Sequence, residues 1–123
     1  MRYKGIKGKA WDKVKEYVRK KEKDCYTCKA RNLSGYNAQA GHYLPVALVG
    51  SNNYLSWDIR QIHLQCGRCN GYGQGEQASY REHLIRDYGE LTVKDFETRR
   101  YKVNPIKNWE AIIDGYQALI DAL

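Results

Sequence analysis

The chain has 123 residues, one domain's worth of protein and enough to bury a core without relying on disulfides. With 42% hydrophobic and 28% charged residues it reads as globular rather than disordered, and no apolar run approaches the roughly 20 residues of a membrane helix. The formal charge of +7 is concentrated: residues 1–31 hold 12 Lys and Arg against 4 Asp and Glu, whereas residues 32–123 hold 9 against 10. Such a block fits either a polyanionic partner or a solvated Lys-rich helix. The basic N-terminus is followed by no apolar stretch, so no secretory signal is expected and a cytosolic protein is.

In chain order, Trp11, Val14, Tyr17 and Val18 recur at helical spacing and predict an amphipathic basic helix over 9–23. Residues 24–40 read as a loop around the first cysteine pair, with turn signals at Asn32, Ser34-Gly35 and Asn37. His42–Val49 is apolar and interrupted by Pro45, which suggests an edge strand. After a turn at 50–53, Tyr54–Gln65 reads as the return strand of a hairpin. The second cysteine pair and a glycine-rich stretch come next. A helix is predicted over Glu76–Tyr88, closed by Gly89, and another capped by Thr92 and running to about Tyr101. Beyond Asn104-Pro105, a last helix places Trp109, Ile112, Ile113, Tyr116, Leu119, Ile120 and Leu123 on one face. No linker divides the chain. We expect one α+β domain: a basic helix over 1–24, a zinc-stabilised core over 25–90, and C-terminal helices over 91–123.

The four cysteines form two matched pairs, Cys25-Tyr26-Thr27-Cys28 and Cys66-Gly67-Arg68-Cys69, 37 residues apart. Two intervening residues let both thiolates of a pair point at one ion, and two pairs complete the tetrahedral shell of structural zinc. All four positions would then be protein ligands, so this metal contributes folding energy rather than catalysis.

Ala40-Gly41-His42-Tyr43, the run Ile62-His63-Leu64-Gln65-Cys66-x-x-Cys69-Asn70, and Tyr80-Arg81-x-x-Leu84-Ile85 before Gly89 form, with Cys25-x-x-Cys28, an ordered combination. It resembles the HNH, or ββα-metal, nuclease core on a zinc scaffold, and above all the NinG/Rap family of phage recombination nucleases. The cysteine pairs followed by Asn70 also resemble phage endonuclease VII, on fewer residues. The resemblance implies a nuclease acting on branched DNA such as Holliday junctions, with a divalent metal in the active site. It also implies the cytoplasm of a host cell if the protein is phage-encoded.

Phosphodiester hydrolysis needs an activated water, charge stabilisation and help for the leaving oxygen. His42 stands where the HNH pattern places the general base, and histidine suits that role near neutral pH. Asn70 offers an amide oxygen to a hard cation, Mg²⁺ or Mn²⁺, or else is a plain helix cap. Gly41 stands where many HNH nucleases carry an acidic metal ligand, so a carboxylate introduced there would be expected to tighten metal binding. Gln61 stands near the position of the asparagine that holds the base histidine. His63, two residues on, is a candidate metal ligand, leaving-group acid or phosphate contact, or a structural histidine. Asp58 and Glu76 are reserve carboxylates.

For DNA, Lys13, Lys15, Arg19, Lys20, Lys21 and Lys23 would neutralise phosphates, and Arg60 and Arg68 could clamp the scissile one. The apolar C-terminal face suggests a homodimer through residues 107–123, the alternative being packing on the N-terminal helix through Trp11, Val14 and Val18. Two further readings stay open: a non-catalytic zinc-containing DNA-binding module, and a zinc-stabilised protein-interaction domain.

Overall fold

The computed structural model describes residues 3–123, with Tyr72 described by its backbone only. Helix α1 spans Gly5–Lys21 and buries Ala10, Trp11, Val14, Tyr17 and Val18, the face its spacing predicts. Arg19, Lys20 and Lys21 fill its last turn, where positive charge complements the helix dipole.

Strand β1, Gln39–His42, pairs antiparallel with β2, Ile62–Gln65, in the register Gln39↔Gln65 to His42↔Ile62. Both strands are shorter than expected, and the first is displaced: it begins at Gln39, inside the segment read as loop, and shares only His42 with the strand expected over 42–49. The first ends at His42, and Val46–Val49 is a single helical turn, α2, rather than strand. Pro45 has no N–H to give a ladder, and the Leu44 N–H goes to the side chain of Gln61 instead. The return strand is likewise reduced to its last four residues. The Asn53 side chain accepts from Leu55 N and the Asp58 side chain from Arg60 N, winding Tyr54–Trp57 and Ile59–Gln61 into 3₁₀ turns.

After the second cysteine pair comes a π-helical turn, Arg68–Tyr72. Helix α3, Gln77–Tyr88, ends at Gly89, whose φ of 92° few other residues tolerate. Helix α4, Glu90–Arg99, starts directly after that glycine, so Thr92 lies inside it rather than capping it. Helix α5, Trp109–Asp121, is capped by Asn108, which accepts from Ala111 N.

The small sheet separates two cores. Ile62 and Leu64 join Trp11, Val14 and Val18 of α1, Trp57, and Tyr116 and Ile120 of α5. On the other side, Tyr43, Leu44 and Leu55 pack with Tyr80 and Leu84 of α3 and Val93 and Phe96 of α4. This is why β2 is buried on both faces.

The apolar face of α5 packs against α1 within the chain. The Tyr17 and Tyr116 rings lie 6.3 Å apart, and the Tyr116 hydroxyl donates to the Trp57 carbonyl at 2.6 Å. Only Leu119 and Leu123 of that face stay exposed. Among the described residues no helix is long and apolar enough to cross a membrane.

A four-cysteine centre beside a histidine-bearing cavity

The four cysteine sulfurs lie within 4.8 Å of one another, and no cysteine is in a disulfide. A tetrahedral ion with Zn–S bonds of about 2.3 Å sets its sulfurs about 3.8 Å apart. The Cys28 and Cys66 sulfurs are 3.8 Å apart.

The two pairs share one local design. Cys28 N–H points at the Cys25 sulfur at 3.5 Å, and Cys69 N–H at the Cys66 sulfur at 3.4 Å. Cys66 N–H adds a second donor to Cys25. Burial opposes ionisation of Cys25, but these amides and the Thr27 hydroxyl outweigh it and draw its thiol down to about 6. Burial and the crowding of neighbouring thiols push Cys69 up to about 12. Sulfurs so placed ionise together only around a cation, and this donor set could hold a zinc ion.

A cavity of about 720 Å³ opens beside this centre, and His42 and Asn70 both line it. His42, the last residue of β1, is stacked on Trp11 with ring centres 5.5 Å apart. Its Nε2 lies 2.7 Å from the Ser56 carbonyl, an acceptor, so Nε2 carries the proton and Nδ1 keeps its lone pair. Burial lowers the His42 pKa to about 4, although the Ser56 bond works the other way.

Asn70 sits in the π turn, held by its own N–H on the Cys66 carbonyl at 3.0 Å. It neither opens nor caps a long helix; α3 begins seven residues later. Its amide orientation is fixed by a relay. The Tyr36 carbonyl takes a hydrogen bond from Gln39 Nε2, which turns Gln39 Oε1 toward Asn70 Nδ2 at 2.8 Å. Asn70 Oδ1 is thereby left free to meet a hard cation.

Of the basic candidates, Lys15 and Arg19 line this cavity. Arg19 also donates to the Ala38 carbonyl at 2.9 Å, and Lys15 stands 3.4 Å from Asp12. Lys13 and Lys20 pair with Glu16, Lys21 lies over the Tyr17 ring, and Lys23 donates to the Arg19 carbonyl; none of them lines the cavity.

Several other candidates lie elsewhere. Gln61 is wholly buried and does not hold His42: its Oε1 accepts from Leu44 N and its Nε2 donates to the Leu55 carbonyl. The histidine is held instead by Ser56, the next residue along. His63 is also outside the cavity. Its Nδ1 is 2.6 Å from Glu22 and its Nε2 3.0 Å from the Arg60 carbonyl, with its ring stacked on Tyr26. Both nitrogens are thus engaged, and the Glu22 contact ties the end of α1 to β2.

Arg60 pairs with Asp58 at 2.7 Å and lies over Phe96, so neither residue faces the site. Arg68 does not line the cavity; the Cys28 thiol nearby raises its pKa. Glu76 does not line the cavity either, and among the described residues no Asp or Glu does.

Gly41 admits no carboxylate. A Cβ there would overlap Gln65 Oε1 and lie 3.0 Å from Asn70 Oδ1. Its small size is required by this close approach. Gln39, Gln74 and Gln77 also line the cavity. Sequence reasoning passed over them because isolated glutamines carry no motif.

The fold and site define a small α+β protein in which a four-cysteine centre abuts a basic, histidine-bearing cavity. A family model described as Bacteriophage Lambda NinG protein matches residues 3–123, and the chain belongs to the NinG family. Protein ninG of Enterobacteria phage H19B is 31% identical over 85 residues, 69% of this chain and 41% of that protein. Protein ninG of Escherichia phage lambda is 29% identical over 105 residues, 85% of this chain and 50% of that protein. Protein ninG of Salmonella phage P22 is 31% identical over 85 residues, 69% of this chain and 40% of that protein. The chain thus spans half or less of the length of these relatives. No solved structure matches it.

Proposed function

We propose that this protein is a metal-dependent DNA endonuclease that hydrolyses phosphodiester bonds, selective for branched DNA such as the Holliday junctions of phage recombination. The observation that carries the reading is His42. Its Nε2 is committed to Ser56, which leaves Nδ1 as a proton acceptor in a cavity that also holds Lys15, Arg19 and the free amide oxygen of Asn70. The resemblance to HNH nucleases supports it, as does the excess charge of α1.

In this reading His42 Nδ1 takes a proton from the attacking water. Trp11 and Ser56 hold the ring in the plane and tautomer that step needs. Lys15 and Arg19 neutralise the phosphate backbone. A Mg²⁺ or Mn²⁺ ion bound here would supply charge stabilisation at the phosphate and the leaving oxygen. Asn70 Oδ1 is the protein atom that would hold it, and a hard cation accepts such an amide oxygen beside water. Zinc held by the four cysteines would fix the turn that carries Asn70.

The lack of any Asp or Glu on the cavity wall, among the described residues, favours one alternative, a zinc-containing module that binds DNA without cutting it. Incubating the protein with a synthetic four-way junction and a linear duplex, in Mg²⁺, Mn²⁺ or EDTA, separates the two. Metal-dependent cuts support the nuclease; binding without cuts in either metal supports the module.

A further inference from the structure

Pro45-Val46-Ala47-Leu48-Val49 is a run of five apolar residues, and none of them is buried. Val49 leans on the second core, but Leu48 is 53% exposed. A consecutive apolar run at the surface is a liability unless something uses it.

The segment is not loose. It is pinned at its start by Leu44 N–H on Gln61 Oε1 at 2.9 Å. At its end, the Ser56 hydroxyl donates to the Gly50 carbonyl at 2.7 Å and Trp57 Nε1 to the Ser51 carbonyl at 2.8 Å. Ser56 is also the residue whose carbonyl orients His42, so the apolar turn and the histidine are referenced to one support. Pro45, Val46 and Leu48 form part of the wall of the cavity to which Lys15 and Arg19 contribute charge.

One cavity therefore offers cationic groups and a rigid apolar lip. A nucleic acid carries both complements, charged phosphates and the flat apolar faces of its bases. In a continuous duplex those faces are covered by stacking; they are open where stacking is interrupted. We infer that the Pro45–Val46–Leu48 lip is a nucleobase subsite that packs against the open face of a base at a branch point, while Lys15 and Arg19 take the adjoining phosphates. This rests on the DNA reading above and deepens it. The lip then adds to the discrimination of branched from linear DNA, because phosphates are offered by both and open base faces only by the branch point.

The test uses the intact chain with a four-way junction and a linear duplex of the same arm sequence, in Ca²⁺ in place of Mg²⁺, at two salt concentrations. Covering a half-exposed aliphatic side chain such as Leu48 is worth about 3- to 10-fold in affinity. Leu48→Ser is expected to lower the ratio of junction to duplex affinity by about that factor, with the salt dependence of junction binding unchanged, because no phosphate contact is lost. Val46→Ser moves the ratio the same way and guards against a peculiarity of one variant. Lys15→Gln instead weakens both DNAs together and flattens the salt dependence. An unchanged ratio in both lip variants overturns the subsite and leaves the DNA reading standing. A wild-type protein that binds neither DNA overturns both.

Discussion

At Gly41 the backbone of β1 runs against the amide of Gln65, a residue fully buried between Thr27 and the carbonyl of Gly75. Gly41→Ala, and Gly41→Asp more so, should destabilise the fold by about 1–3 kcal/mol through overpacking, read as a lower denaturant midpoint, with no gain in metal affinity. His42 makes a second prediction. Its folded pKa of about 4 lies below the ordinary value of about 6.5, so between those pH values the unfolded chain binds more protons than the folded one. Its contribution is complete above about pH 6.5 and is lost as pH falls toward 4, by about 3 kcal/mol. Chemical denaturation across that window should show a shallower acid loss for His42→Gln than for the wild type. Burial lowers His83 too, but that effect is common to both proteins and cancels in the difference. A parallel decline in the two would show that His42 does not titrate with the fold.

The two cysteine knuckles are built alike, each with an N–H turned back on its own first sulfur, which is the signature that matched spacing carries in a sequence. Elemental analysis should find about one zinc per chain, and Cys28→Ser should unfold or aggregate the protein rather than leave it soluble with altered activity. A folded, metal-free protein would contradict this. Helix α5 is the other element on which the first core depends, since Tyr116 and Ile120 close it over α1. A chain ending at Asn104 should therefore lose its cooperative melting transition instead of remaining a well-folded monomer.

Helices α1, α3 and α5 were legible because one-sided periodicity, a closing glycine at Gly89 and an apolar face at 3.6 residues per turn are local signals. The strands were not. Apolar residues in Val46–Val49 and Tyr54–Gln65 mimic β patterning, but Pro45, Asn53 and Asp58 divert the backbone into turns through bonds that their neighbours, not their periodicity, determine. Of the site, His42, Asn70 and the cysteines were legible as motif members. The engagement of Gln61 and His63 elsewhere was not, because strand position alone does not say which buried carbonyl or carboxylate a polar side chain will meet.

At the scale of the molecule, the two-stranded sheet joins two cores and carries His42 to the end of β1, where α1 supplies charge and the second knuckle supplies Asn70. The zinc-type centre and the cavity are mechanically linked: Gln65 donates to Thr27 inside the first knuckle, and Asn70 follows Cys69 directly. Disturbing the cysteines should thus disable the cavity as well. Membership of the NinG family is shown over nearly the whole chain, while the cavity's chemistry is the proposal to be tested. The decisive measurement is cleavage of a synthetic four-way junction by the wild type and His42→Ala in Mg²⁺ or Mn²⁺, with junction affinity measured in parallel. The account predicts metal-dependent cuts by the wild type and a loss of about 10²–10⁴-fold in rate for His42→Ala, with junction affinity close to wild type and a folded protein whose melting temperature falls modestly as the Trp11 stack and Ser56 bond are lost. Undiminished cleavage by His42→Ala, or junction binding by the wild type without cleavage in either metal, would contradict it.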